Sequence, residues 1–138
     1  MNLKSVFSAV DLVPTILDLA GVSHPKGVKY DGESLPDVLL GKSKNSRKQP
    51  LFFRRPPDRD SFYGVKDLPD LAVRSGKWKL LCEYDGSDPL LYDMEKDPQQ
   101  FTNLSEKAEY ATIKAKLFQR LRNRVRDKKN NYGLPVSE

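Results

Sequence analysis

The residues of this chain best suited to chemistry are the arginines of Arg54-Arg55-Pro56-Pro57-Asp58-Arg59-Asp60-Ser61-Phe62-Tyr63. A guanidinium is planar, permanently charged and carries its donors in a fork, so it suits sulfate, phosphate or carboxylate. Two prolines stiffen the segment and two aromatics close it. Arg54, Arg55 and Arg59 are therefore the candidate substrate-binding residues. The plainer alternative is a solvated loop, or one that covers a partner. Nothing in the sequence supplies turnover. Cys82 alternates with Trp78, Leu80 and Tyr84 and reads as a packed small hydrophobe rather than a nucleophile. His24 is the single histidine, expected to be solvated, and with no paired carboxylate it cannot act as both acid and base. Asp93-Met94-Glu95-Lys96-Asp97 opens like a calcium loop. An EF-hand needs Gly at its sixth position and Glu at its twelfth, and Pro98 and Leu104 stand there. Asp93 and Asp97 are expected to cap turns instead. No catalytic residue and no metal ligand is assigned.

The other concentration of charge lies near the C-terminus. The net charge is +5, and residues 106–129 hold nine Lys/Arg against three acidic residues. Lys114, Lys116, Arg120, Arg122, Arg124, Arg126, Lys128 and Lys129 could track a polyanion. A free-standing polyanion-binding module is thus an alternative from a different functional class, beside the plain one of a solvated helix face. No helix-turn-helix, zinc-ligand or RNP-type aromatic pattern accompanies the charges, so nucleic acid is not an expected partner. No apolar run approaches the roughly 20 residues that span a bilayer, so neither is a membrane. Met1 to Phe7 does not read as a secretory signal. One cysteine excludes an internal disulfide. Asn103-Leu104-Ser105 is a glycosylation sequon, relevant only in a eukaryotic secretory setting.

These residues must be positioned by a small α+β domain. Leu12, Ile16 and Leu19 recur at helical spacing, with Asp11 as a plausible N-cap, Pro14 in the first turn and Gly21 at the C-terminal stop. That helix is apolar over most of its circumference and needs cover on more than one side. Residues 22–49 read as irregular, with one helical turn at 36–40 and a solvated linker over 42–49. Leu71–Arg74 and Lys77–Tyr84 form strands joined by Ser75-Gly76. Leu90-Leu91-Tyr92 follows a turn, and Leu51–Phe53 is a further strand. From about Ser105 the pattern is helical, with Tyr110, Ile113, Leu117, Leu121 and Val125 as one apolar stripe suited to lie across the sheet. Trp78 is expected as a core anchor near Leu117 and Leu121.

Three segments carry a family resemblance. They are Ser8-Ala9-Val10-Asp11-Leu12-Val13-Pro14-Thr15-Ile16-Leu17-Asp18-Leu19-Ala20-Gly21, then Asp31-Gly32-Glu33-Ser34-Leu35, then AVRSGKWKLL followed by LLYDMEKDPQQFTNL. In this order they resemble the C-terminal part of the sulfatase family, over residues 5 to 125. The resemblance implies that residues 1–41 form the C-terminal edge of the catalytic domain, including its closing helix. It implies a linker at 42–49, the α+β subdomain at 50–129, with a three- to four-stranded antiparallel sheet and one long helix, and a flexible tail at 130–138. It implies a parent that hydrolyses sulfate esters, or less often sulfamates, with formylglycine and Ca²⁺, in a periplasmic or secreted setting. Neither the Cys-x-Pro/Ala-x-Arg motif nor recognisable metal ligands are in this chain, so the chain alone is expected to be inactive. Its expected partners are the missing catalytic domain and, through the parent, a sulfated small molecule or glycan. In that family the small subdomain borders the active-site cleft, which is where the Arg54–Tyr63 loop could act. A non-catalytic subunit of a split sulfatase is a further alternative.

Overall fold

The computed structural model describes residues 5–43, 47–55 and 69–126. Arg59, with most of the candidate ligand loop, and the tail at 130–138 lie outside them. The chain divides into two compact units between Gln49 and Pro50.

In the first unit, helix α1 spans Ala9–Leu19. Its N-cap is Ser8, in extended conformation, and Asp11 is the third helical residue. The Asp11 carboxylate accepts the Ser8 N–H at 2.9 Å, half of a capping box. The sequence expectation for Asp11 as N-cap is therefore three residues late. The C-terminus closes as a Schellman motif: Gly21 has φ +65°, its N–H donates to the Asp18 carbonyl, and the Val22 N–H donates to that of Leu17. Pro14 falls at the sixth helical position rather than in the first turn, so Val10 loses its helical donor. The Gly32 backbone lies against that Val10 carbonyl, where any Cβ would overlap it. A second short helix, α2, spans Pro36–Leu39 with proline at its start.

The interior of this unit is largely polar, with Pro14 the buried apolar residue of α1. Asp11 and Thr15 are fully buried, and Arg47 is 6% exposed. Val10, Leu12, Val13, Ile16, Leu19, Val22, Val28, Leu39 and Leu40 are all exposed. Arg47 also corrects the expectation of a solvated run over 42–49. Its guanidinium donates to Asp11 at 2.8 Å, its Nε to the Gln49 carbonyl at 2.8 Å, and Glu33 accepts the Lys48 N–H at 3.0 Å. A composition rule reads Lys and Arg as solvated, and it fails when one arginine meets a buried carboxylate.

The second unit holds a four-stranded antiparallel sheet in order β1-β2-β3-β4: Leu51–Arg54, Leu71–Ser75, Trp78–Cys82 and Leu90–Asp93. Ser75 pairs with Trp78, so the tight turn is Gly76-Lys77, one residue later than expected. Gly76 supplies the positive φ of +57° at the first central position, the II′ pattern. A 3₁₀ turn, Ala108–Tyr110, leads into helix α3, Ala111–Arg126. Pleat alternation sends Val73, Leu80, Cys82 and Leu91 to the face that meets Leu117 and Leu121, and these residues with Leu71 form the core. Phe52, Tyr84, Tyr110, Ile113, Phe118 and Val125 pack around it. Trp78 is only half-buried, with its ring 5.5 Å from that of Tyr110 and the Lys77 ammonium 4.7 Å from its centre. It closes the rim of the core; the anchors are Leu80, Leu91 and Leu117.

Candidate functional site

The charged residues that could meet a ligand gather at one end of the sheet, where β1 leaves, β2 enters and β3 leaves. The hydrogen-bond ladder dictates this gathering. Arg54 pairs with Leu71, and Leu71 with Cys82, so the residues just beyond them, Arg55, Asp70 and Glu83, must converge. Arg54 is half-buried. Its Nε donates to the Tyr84 hydroxyl at 3.1 Å, and its guanidinium stands 5.6 Å from the centre of that ring. The Tyr84 hydroxyl in turn donates to the Arg55 carbonyl at 2.7 Å. Arg55 forms an ion pair with Asp70 at 3.0 Å, and its N–H donates to the Asp70 carbonyl at 2.8 Å.

The electrostatics of the two arginines therefore differ. Arg55 is matched by Asp70. Arg54 meets a neutral phenol, and among the described residues no carboxylate pairs with it. Glu83 completes the cluster. Its carboxyl hydrogen-bonds Asp70, and that contact, with burial and the Asp70 charge adding to it, raises its pKa above the ordinary glutamate range. Asp70, Glu83 and Tyr84 were not singled out from the sequence. The signal that could have found them is their place immediately outside paired strand ends.

The remaining candidates resolve into structure. Cys82 is buried and its thiol is pushed up to about 11, first by burial and then by Glu83, Asp85 and Asp70, so no thiolate nucleophile is available. His24 Nε2 lies 2.9 Å from an Asp18 carboxylate oxygen, and its ring meets Tyr30 edge-on. Asp93 accepts the Glu95 and Lys96 N–H groups and an ion pair from Lys77 at 2.8 Å. Asp97 accepts the N–H groups of Phe101 and Thr102. These two aspartates cap turns. Asn103 bridges the Leu91 and Ser105 N–H groups through its side-chain oxygen. Among the described residues no group of three or more His, Cys, Asp or Glu could hold a metal ion. No described helix is long and apolar enough to cross a membrane.

The first unit shows how two of the family-resembling segments meet. Asp11 Oδ1 accepts the Glu33 N–H at 2.8 Å, and Thr15 Oγ1 accepts the Leu35 N–H at 3.0 Å. Asp11 and Thr15 thus read the backbone of Asp31-Gly32-Glu33-Ser34-Leu35, and Gly32 permits the close approach. Sequence reasoning did not find that link, because it joins residues about 20 apart through backbone donors.

Residues 2–128 match the family described as N-sulphoglucosamine sulphohydrolase, C-terminal. The chain is 35% identical to mouse arylsulfatase K over 91% of its own length and 22% of that protein. It is 32% identical to an N-acetylglucosamine-6-O-sulfatase of Bacteroides thetaiotaomicron, over 88% of the chain and 22% of that protein. Among solved structures it resembles a 2-O GAG sulfatase at 27% identity, with TM-score 0.62, covering 92% of this chain and 26% of that one. The chain spans about a fifth of the length of the curated relatives it matches.

Proposed function

The chain belongs to the sulfatase family as a C-terminal region of it, and from that premise we propose that it is the non-catalytic C-terminal part of a sulfuric ester hydrolase. The observation that carries this is the family match over residues 2–128, together with the chain's spanning only about a fifth of its curated relatives' length. Formylglycine and Ca²⁺, which the resemblance implies for the parent, do not fit the described residues. Cys82 is buried inside β3, and no carboxylate cluster of metal-ligand size is present among them. This chain's part is therefore to bind and orient. Arg54, held by Tyr84, offers a charge-assisted fork to the sulfate or carboxylate of the substrate's organic part. Arg55 fixes the sheet end through Asp70. Arg59 belongs to the same proposed set by its place in the loop.

The parent's catalytic domain is the partner we assign to the first unit. Nine large aliphatic side chains there are exposed around a small polar interior, the inverse of a self-sufficient domain. A catalytic domain lying against α1 would give that apolar surface its cover. The test is sulfate release from an aryl sulfate by a polypeptide that carries this region behind a Cys-x-Pro/Ala-x-Arg segment. Turnover lost on replacing the cysteine of that segment, and absent from the isolated chain, is the expected result. Turnover by the isolated chain, abolished by Cys82→Ala, would overturn it.

A further inference from the structure

We propose that the outer flank of α3 is an extended docking site for a sulfated polysaccharide chain, separate from the Arg54 cluster and resting on the sulfatase reading above. Residues 111–126 contain six Lys/Arg and no acidic residue. Lys116, Arg120 and Arg124 stand four residues apart, so they form a row along one flank with a rise of about 6 Å per step. Arg122 and Arg126 are also four apart and exposed. Like charges at this spacing weaken a helix by a few tenths of a kcal/mol per pair. Arg124 and Arg126 gain something back from the helix C-terminus. Lys116, Arg120 and Arg122 lie further inside the helix and do not.

Side-chain contacts hold two members of the row in place. Arg120 donates to the Ser75 hydroxyl of β2 at 2.6 Å, and the Arg124 guanidinium lies 5.6 Å from the centre of the Phe52 ring of β1. Both contacts fix a side chain, and the hydroxyl that holds Arg120 leaves its charge in place. Among the described residues no carboxylate pairs with Lys116, Arg120, Arg122 or Arg126. A ladder of fixed cations at regular spacing complements a polymer bearing a sulfate or carboxylate on most sugar rings. Single-stranded nucleic acid would also want exposed rings for its bases. The one aromatic of α3, Phe118, turns inward instead, against Gly86, where a Cβ would come within 2.7 Å of its ring.

The experiment is binding of the 138-residue chain to heparin across a salt series, compared with Lys116→Gln/Arg120→Gln/Arg122→Gln. Circular dichroism confirms that the variant folds, and if it does not, Lys116→Gln/Arg122→Gln at exposed positions replaces it. The expected result is roughly 10-fold weaker binding at physiological salt with a shallower salt slope, as three rim charges are removed. In a longer sulfatase the same variant should raise KM for the polymer and leave hydrolysis of a small aryl sulfate unchanged. Unchanged heparin affinity overturns the proposal. So does equal affinity for single-stranded DNA of matched charge. Failure of the longer protein to cleave any sulfate ester, with heparin binding intact, would count against the hydrolase reading and leave the docking site standing.

Discussion

At the scale of single residues, Arg54 and Arg55 are adjacent in sequence and opposite in circumstance. Arg55 is spoken for by Asp70, so Arg55→Ala should lower stability by about 1–3 kcal/mol, in part because Asp70 and Glu83 would then face each other alone. Arg54 has a hydroxyl and a ring as partners. In the parent enzyme, Arg54→Ala should lower kcat/KM by the 1.5–3 kcal/mol typical of a lost charged hydrogen bond, roughly 10- to 100-fold. Steady-state kinetics with a sulfated substrate, beside a melting curve, separates the two roles. Unchanged kinetics with a lowered melting temperature would make Arg54 structural. Glu83 gives a pH prediction. Its pKa is raised in the folded state by the Asp70 contact, so folding favours the protonated form. That contribution is fully present below the ordinary glutamate pKa and is lost as pH rises through the raised one. Glu83→Gln should therefore raise the melting temperature at pH 7 and bring no gain at pH 4. A gain of the same size at both values would sink this account.

At the scale of elements, the two units are held by different physics. The sheet and α3 of the second unit share an apolar core, and Leu117 is buried at its centre. Leu117→Ala should cost about 2–5 kcal/mol in chemical denaturation. Trp78→Ala should cost less than that, because the indole lies at the rim and keeps partial exposure. A larger loss at Trp78 than at Leu117 would put the core elsewhere. The first unit depends on one carboxylate. Asp11 receives the Ser8 N–H, the Glu33 N–H and the Arg47 guanidinium, all with no exposure of its own. Asp11→Ala would leave the buried Arg47 only the longer Glu33 ion pair at 3.7 Å, a loss of about 3 kcal/mol. Hydrogen exchange localised to residues 5–43 and 47–49 is the measurement, and protection unchanged there would refute it.

At the scale of the whole molecule, one unit carries its own core and the other wears its apolar residues outside. The isolated chain should therefore bind a hydrophobic dye and self-associate through the first unit. Ile16→Asp should reduce both without unfolding the second unit, since Ile16 is exposed in this chain. The same substitution in the full enzyme should lower its stability, where Ile16 would lie in the domain contact. Dye binding that Ile16→Asp leaves unchanged would remove the apolar face as its cause.

The sequence by itself determined the element types and most of their faces. Period-two alternation set the inward face of β3, and a stripe at helical spacing set that of α3, because both periods follow from backbone geometry that any core must respect. The ordered segments around Asp11, Gly32 and Tyr92 were enough to suggest the family. The tertiary structure alone decided which charges are spent. Whether an arginine is free depends on what the ladder brings beside it, and Asp70 reaches Arg55 only because β1 and β2 pair in one register. Arg47 looked solvated within a polar run until Asp11, 36 residues away, took it into the interior. Hydrophobic patterning is local and repeated, so one chain segment displays it. Pairing of charges is long-range and happens once, so only the folded chain can show it.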